Sequence, residues 1–95
     1  MGKDYNITIT KEQYKKLEGL AYWIADAHYI RERFGDTEPE LKTCHDTISA
    51  IFDELDAIKT PFLVQNVVIA FSENWRRYKE QYLQSYLKNR GIYTA

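Results

Sequence analysis

The sequence has little of what small secreted, membrane-bound or phosphate-binding proteins depend on. It contains one cysteine, so no disulfide framework forms within the chain, although a secreted domain of this size usually needs one. Its four glycines are scattered at positions 2, 19, 35 and 91, which excludes a glycine-rich phosphate loop. No apolar run approaches the roughly 18 residues that a membrane-spanning helix requires. We therefore expect a cytoplasmic protein.

Catalytic and metal-binding spacings are missing as well. Cys44 and His45 are adjacent, so on a helix their side chains point about 100° apart, and no second Cys/His pair follows. His45 and Ser49 are one helical turn apart, but no oxyanion loop or nucleophile turn accompanies them. We predict that the protein is not an enzyme and that it binds no metal or cofactor.

The sequence is rich in material for a hydrophobic core. Apolar residues make up 44% of the 95-residue chain and aromatic residues 15%, which suits a single domain over 1–95. The net charge is −1, but it is unevenly distributed. Eight Lys/Arg against 13 Asp/Glu give −5 over 1–74, whereas five against one give +4 over 75–95. Such asymmetry indicates a charged partner surface or attraction between copies of the chain.

The hydrophobic pattern predicts a mainly α fold that begins with a short strand. In the segment YNITIT, aromatic and β-branched residues alternate with polar ones, which predicts a strand over 5–10. Thr10 and Gln13 then have the spacing of a capping box, and apolar residues recur at three- and four-residue steps. These signals predict a first helix over about 11–34, ended by Gly35 in a left-handed conformation.

Two further helices complete the predicted three-helix bundle. Thr37 and Glu40 form a second capping-box pattern, which predicts a helix over about 38–59. The pair Thr60-Pro61 predicts a third helix over about 61–90, ended by Gly91. The short connection predicts that these two helices are antiparallel neighbours. The β-branched segment 62–71 is also compatible with a buried strand, and this alternative stays open.

A single strand needs a partner, because its backbone donors and acceptors are otherwise unpaired. The sequence leaves three candidates for that partner. They are the tail GIYT of the same chain, the equivalent strand of a second copy, and a strand of a target protein.

Tyrosines and cations dominate the end of the predicted third helix. Aromatic residues recur there at helical spacing and continue its apolar stripe, so they form either core or an oligomer interface. Aromatic and arginine residues are also enriched at the centres of protein interfaces. The predicted binding surface comprises Trp75, Arg76, Arg77, Tyr78, Lys79, Tyr82, Tyr86, Lys88 and Arg90.

The opening of the chain resembles a DNA-binding family. The segment YNITITKEQYKKLEGLA places a short strand before a capped helix, as in ribbon-helix-helix proteins. In that family two copies pair the strand and insert it into the major groove. The resemblance implies a nucleic-acid-binding regulator. Here, however, Asn6, Thr8 and Thr10 are uncharged where that family usually has polar or basic residues.

The compact, aromatic-rich chain with NITITKEQ near its start is also similar to small accessory proteins of phages and mobile elements, including anti-CRISPR inhibitors. This resemblance implies a non-catalytic inhibitor that binds a host protein stoichiometrically, and we further expect a homo-oligomer. The ribbon-helix-helix regulator is the first alternative. A nucleotide-sequestering oligomer, in which tyrosines stack on bases between subunits, is the second.

Overall fold

The computed structural model describes residues 5–74 and 82–95. Within these residues the elements, in chain order, are β1 (Ile7–Ile9), α1 (Lys11–Phe34), α2 (Glu40–Ala57), α3 (Phe62–Glu73), α4 (Leu83–Asn89) and β2 (Ile92–Thr94). The predicted mainly α class is confirmed. The predicted three-helix bundle is wrong, because the described part of the chain contains four helices.

Helix α1 has the bounds that its sequence predicts. The Thr10 backbone amide donates to Gln13 Oε1 at 2.8 Å, and the Gln13 amide donates to Thr10 Oγ1 at 3.0 Å, so the capping box is present. The helix ends before Gly35, which has the predicted positive φ of 92° but an extended ψ of 175° rather than a left-handed helical one. That combination is essentially restricted to glycine.

Helix α2 begins later than predicted. Its first residue is Glu40, its N-cap is Pro39, and no side chain caps it, so the predicted capping box at Thr37 is wrong. The reason is Pro39, since the residue before a proline is disfavoured in the α conformation and Glu38 therefore does not join the helix.

The end of α2 is a Schellman motif. The amide of Lys59 donates to the Asp56 carbonyl at 3.0 Å, and the amide of Thr60 donates to the Leu55 carbonyl at 2.9 Å. Lys59 occupies the left-handed position of this motif, with φ of 58°. Four residues, 58–61, separate α2 from α3.

The third predicted helix is two helices in the structure. Residues 62–71 are helical, which resolves the choice between helix and strand, but α3 ends at Glu73 and α4 begins at Leu83. Tyr82 is the extended N-cap of α4, with φ −75° and ψ 152°. At the end of α3 the Asn74 side chain donates to the Ala70 carbonyl at 3.0 Å, and such local bonds compete with helix continuation.

Helix α1 is the centre of the fold. Helices α2 and α3 pack chiefly against α1, and they contact each other where Gln65 Nε2 donates to Asp56 Oδ1 at 3.2 Å. Along α1 the buried face supplies Leu17, Leu20 and Ile24 to the main core, and Ala27 and Ile30 to a smaller cluster with α2. Among the described residues, no helix combines the length and apolar character needed to cross a membrane.

The strand β1 pairs with the tail of its own chain. β1 and β2 are parallel, and Ile7 lies opposite Ile92. The Ile7 amide donates to the Gly91 carbonyl at 2.8 Å, and the Ala95 amide donates to the Ile9 carbonyl at 2.8 Å. Of the three candidate partners, the structure shows the tail. The two-stranded sheet buries Ile9 and Ile92 in the main core.

Candidate functional site: a tyrosine-lined groove beside α1

The groove exists because the helices that flank α1 differ in length. At about 1.5 Å per residue, α1 is roughly 36 Å long and α3 roughly 18 Å long. The end of α3 and the start of α4 lie beside α1, and residues 75–81 between them lie outside the described part of the chain. The result is a groove of about 1010 Å³, bordered by α1, by the last turn of α3 and by the first turn of α4.

The α1 wall of the groove is a second stripe, separate from the core stripe. Glu18, Tyr22, Ala25 and Tyr29 follow one another at steps of four, three and four residues, so they lie along one line of the helix. Tyr22 is 65% exposed and Tyr29 is 46% exposed. Between them Ala25 presents only a methyl group. The two rings therefore stand on either side of a shallow point in the groove.

Tyr14 fixes the inner end of the groove. The Glu18 carboxylate and the backbone of Gln84 lie near its hydroxyl, so Tyr14 lies where α1 meets α4. Burial raises the pKa of Tyr14 above its ordinary value of 10.0, and the negative charge of Glu18 raises this pKa further. The hydroxyl therefore stays protonated at neutral pH and serves as a structural contact.

The opposite wall comes from the ends of α3 and α4. Ser72 is buried and its hydroxyl donates to the Val68 carbonyl at 2.8 Å, so it is satisfied within α3. Glu73 and Asn74 follow at the rim. Tyr82 stands at the start of α4 and is 83% exposed, the highest value among the large hydrophobic side chains that the structure describes. Three exposed tyrosines thus surround the groove, at positions 22, 29 and 82.

The described lining of the groove is acidic. The ionisable side chains that line it, apart from the tyrosines and His28, are carboxylates, and no lysine or arginine lines it within the described residues. The four carboxylates are Glu18, Asp26, Glu32 and Glu73. One cation lies at the rim, where Arg33 Cζ is 5.6 Å from the centroid of the Tyr29 ring. Residues 75–81, which join the lining residues Asn74 and Tyr82 and include three cations, lie outside the described residues.

Cys44 and the possible metal ligands are the remaining candidate groups for chemistry. Cys44 is a free, buried thiol whose Sγ lies 3.8 Å from Asp26 Oδ2. Burial raises the pKa of Cys44, and the negative charge of Asp26 raises it further, so this thiol is not activated as a nucleophile. In the part of the chain that the structure describes, no group of three His, Cys, Asp or Glu residues is placed to hold a metal ion.

The sequence-predicted binding surface is described only in part. Five of its residues, Trp75, Arg76, Arg77, Tyr78 and Lys79, lie outside the described residues. Of the other four, Tyr82 lines the groove and Lys88 is exposed. Tyr86 is 6% exposed and Arg90 is half-buried.

The side chains of Tyr86 and Arg90 contact each other beside the main core. Arg90 Nη2 donates to the Tyr86 hydroxyl at 2.7 Å, and Arg90 Cζ is 4.3 Å from the Tyr86 ring centroid. On its other side the Tyr86 ring is 4.9 Å from the ring of Phe71, measured between centroids. The Tyr86 ring thus belongs to the core, whereas Tyr82 belongs to the groove.

Sequence reasoning missed the α1 wall. The signal was present, because Tyr22 and Tyr29 are seven residues apart and Ala25 is between them, which is the spacing of a helix-packing stripe. The core stripe of α1 is the stronger of the two and accounts by itself for the packing of the helix, so the sequence does not single out the second stripe. Comparisons of the chain with protein-family models, with curated proteins and with solved structures find no match.

Proposed function

We propose that this protein is a non-catalytic binding protein that acts by stoichiometric association with another protein through the tyrosine-lined groove. The observation that carries the proposal is the exposure of Tyr22, Tyr29 and Tyr82 around one concave surface. Tyrosine is enriched at interface centres because its ring is large and rigid and its hydroxyl tolerates both water and polar partners. Exposed aromatic residues in a cluster mark interaction surfaces more strongly than single ones do.

The dimensions of the groove support a protein segment as its ligand. The α1 residues that line the groove extend from Tyr14 to Glu32, which is about 27 Å along the helix axis. A helix of a few turns, or an extended peptide of a few residues, fits such a length. Peptide helices that bind in grooves use anchor residues three, four and seven positions apart.

We further propose that the association inhibits a host protein in the cytoplasm, as the likeness to phage and mobile-element accessory proteins implies. A buried, free Cys44 suits a reducing compartment. The two nucleic-acid alternatives receive less support. The groove carries carboxylates, which repel phosphates, and β1 pairs with β2 of its own chain, whereas a ribbon-helix-helix protein pairs this strand between two copies.

A photo-crosslinking experiment tests the proposal. A benzophenone amino acid is placed at Tyr22 in the groove, or at Phe62 as the control, since Phe62 is 75% exposed and does not line the groove. We expect irradiation in an extract of the source cells to give a discrete adduct of one-to-one stoichiometry from position 22 alone. Equal or diffuse labelling from both positions would contradict the proposal.

A further inference from the structure

We infer that two copies of this chain associate through the outward face of α3, which packs against the same face of the second copy as an antiparallel, two-fold pair of helices. The inference goes beyond the proposed function, because the residues from Phe62 to Ala70 do not line the groove. The outward face consists of the exposed residues of α3 together with one half-buried residue, Ile69. Its members are Phe62, Leu63, Asn66, Ile69, Ala70 and Glu73.

The outward face carries no charge over most of its length. From Phe62 to Ala70 it contains no Asp, Glu, Lys or Arg, although Phe62 is 75% exposed and Leu63 is 40% exposed. Helices α1 and α2 do carry charged side chains on their exposed faces, and α3 is more apolar than either. A helix that is apolar on all sides is normally covered on all sides, so the outward face indicates a partner.

The outward face is complementary to itself, which favours a second copy as that partner. An antiparallel pair with Asn66 on the two-fold axis places residues equally far before and after position 66 opposite each other. Phe62 then lies opposite Ala70, a large side chain against a small one. Leu63 lies opposite Ile69. Asn66 meets the same residue of the second copy, and a single asparagine in an apolar helix pair fixes its register.

The charges at the two ends of the pair also match. In this register Glu73 comes next to Lys59 of the second copy, because Lys59 precedes Phe62 by three residues, and both side chains are exposed. Neither takes part in the ion pairs of the described residues. A parallel pair would instead place like charges together. The net charge of −1 leaves little general repulsion between copies.

The size of the face sets the expected strength of the association. Helix α3 has 12 residues and is about 18 Å long. One helix face of that length is smaller than the roughly 800 Å² that each partner buries in a standard interface. We therefore expect a dimer that forms as the protein concentration rises.

Sedimentation equilibrium of the full chain over a range of concentrations tests the inference. We expect the mass to rise from that of one chain towards that of two. Ala70→Asp places a carboxylate opposite Phe62 and should weaken the self-association at least about tenfold, since an unpaired charge is costly to bury. The matched control is Ala50→Asp, which adds the same charge at an exposed position of α2 and should leave the self-association unchanged.

Two results of this experiment would overturn the inference. One is a wild type that stays monomeric up to millimolar concentration. The other is equal behaviour of Ala70→Asp and Ala50→Asp, because it would mean that the added charge acts without regard to α3. Circular dichroism checks that both variants are folded.

The register is tested with single cysteines and a short bifunctional thiol crosslinker. The native Cys44 is buried, so it contributes little background. Asn66→Cys should link two copies efficiently, because its side chains meet at the two-fold axis, whereas Ala50→Cys on α2 should not. A protein that dimerises but is not linked through Asn66→Cys would show that the antiparallel register is wrong.

The benzophenone amino acid at position 62 gives an independent result in the purified, concentrated protein. We expect an adduct with twice the mass of the chain. A link within one chain, which leaves the mass unchanged, would mean that the chain covers its own outward face and would overturn the inference. The proposed function depends on the adduct from position 22 with another protein, so either proposal fails without the other.

Discussion

Tyr82 and Tyr86 are four residues apart and would share one face of a continuous helix, yet Tyr82 is exposed and Tyr86 is buried. The difference arises because α4 begins at Leu83, so Tyr82 is extended and its side chain follows no helical phase. The Tyr86 ring instead packs between Phe71 and Arg90. Two identical residue types thus have opposite roles, one in the groove and one in the core.

Single alanine substitutions should separate these roles. We expect Tyr86→Ala to lower the free energy of unfolding by about 3–5 kcal/mol, because it removes a buried ring and leaves a cavity. Tyr82→Ala should change it by less than about 0.5 kcal/mol, as exposed substitutions generally do. Urea denaturation followed by circular dichroism measures both. Similar losses in the two variants would contradict the separate placement of the two rings.

Tyr14 should give the protein a specific sensitivity to alkaline pH. Its pKa in the folded state is raised above 10.0, by burial first and then by Glu18. The folded protein therefore holds the phenol proton more tightly than the unfolded chain does, and the resulting stabilisation, complete below pH 10, is lost as the pH rises through the folded-state pKa.

The measurement is the free energy of unfolding of the wild type and of Tyr14→Phe, each taken from neutral pH to above pH 10. Phenylalanine has no hydroxyl proton to lose, so the pH dependence of Tyr14→Phe shows what all the other titrating groups contribute. We expect the wild-type stability to fall more steeply than that of Tyr14→Phe in the alkaline range. Parallel curves would show that Tyr14 does not contribute.

At the scale of elements, the two helix ends with positive φ should respond oppositely to substitution. Lys59→Gly places glycine in the left-handed position that ends α2, where a side chain is strained, and should stabilise the fold by about 1 kcal/mol. Gly35→Ala places a side chain in a conformation nearly restricted to glycine and should destabilise it by about 1–3 kcal/mol.

A methyl group at Gly35 meets no atom within 4 Å, so any loss in Gly35→Ala comes from the backbone and not from a clash. The melting temperatures and urea midpoints of both variants check the pair of predictions. A stabilised Gly35→Ala or a destabilised Lys59→Gly would show that the two helix ends have other conformations in solution.

How much of each element the sequence predicts depends on whether its signals are local. The bounds of α1 follow from the Thr10/Gln13 capping box and from Gly35, and both act within a few residues. The Thr37/Glu40 pattern misplaces the start of α2, because Pro39 disfavours the α conformation at Glu38 and so excludes Thr37 as the cap. The sequence pattern does not predict the break between α3 and α4, because the apolar spacing continues across it.

The groove required knowledge that no single element contains. It depends on α3 ending after 12 residues and on α3 packing beside a helix twice as long. Tyr22 and Tyr29 are ordinary surface residues of α1 until the ends of α3 and α4 place them at the wall of a groove. The predicted site therefore included Tyr82, which lines the groove, and omitted the wall on α1.

At the scale of the whole molecule, the pairing of β1 with β2 bears on self-association. The sequence predicts a homo-oligomer, and a free β1 would be an obvious surface for it. Since Ile7 and Ile9 bond to β2, the exposed Thr8 lies between the paired positions and its amide faces away from β2. Proline at such an edge position is tolerated and blocks further strand addition.

We expect Thr8→Pro to leave the mass in solution, measured by light scattering, the same as that of the wild type. Any oligomer should then form through another surface, and Tyr22→Leu tests the groove in the same assay. Circular dichroism confirms that the variant is folded. A fall in mass caused by Thr8→Pro alone would mean that β1 exchanges between copies.

The same strand pair constrains the order in which the molecule is completed. Ile7 and Ile92 are partners although nearly the whole chain separates them, and both Ile9 and Ile92 belong to the main core. During synthesis β1 leaves the ribosome long before β2 exists, so α1 and α2 have to associate without the sheet. A contact of high sequence separation is also entropically costly to close before the intervening chain is ordered. Completion of the core therefore waits for the last residues of the described chain, and a nascent chain that stalls before them exposes the apolar surface that β2 covers.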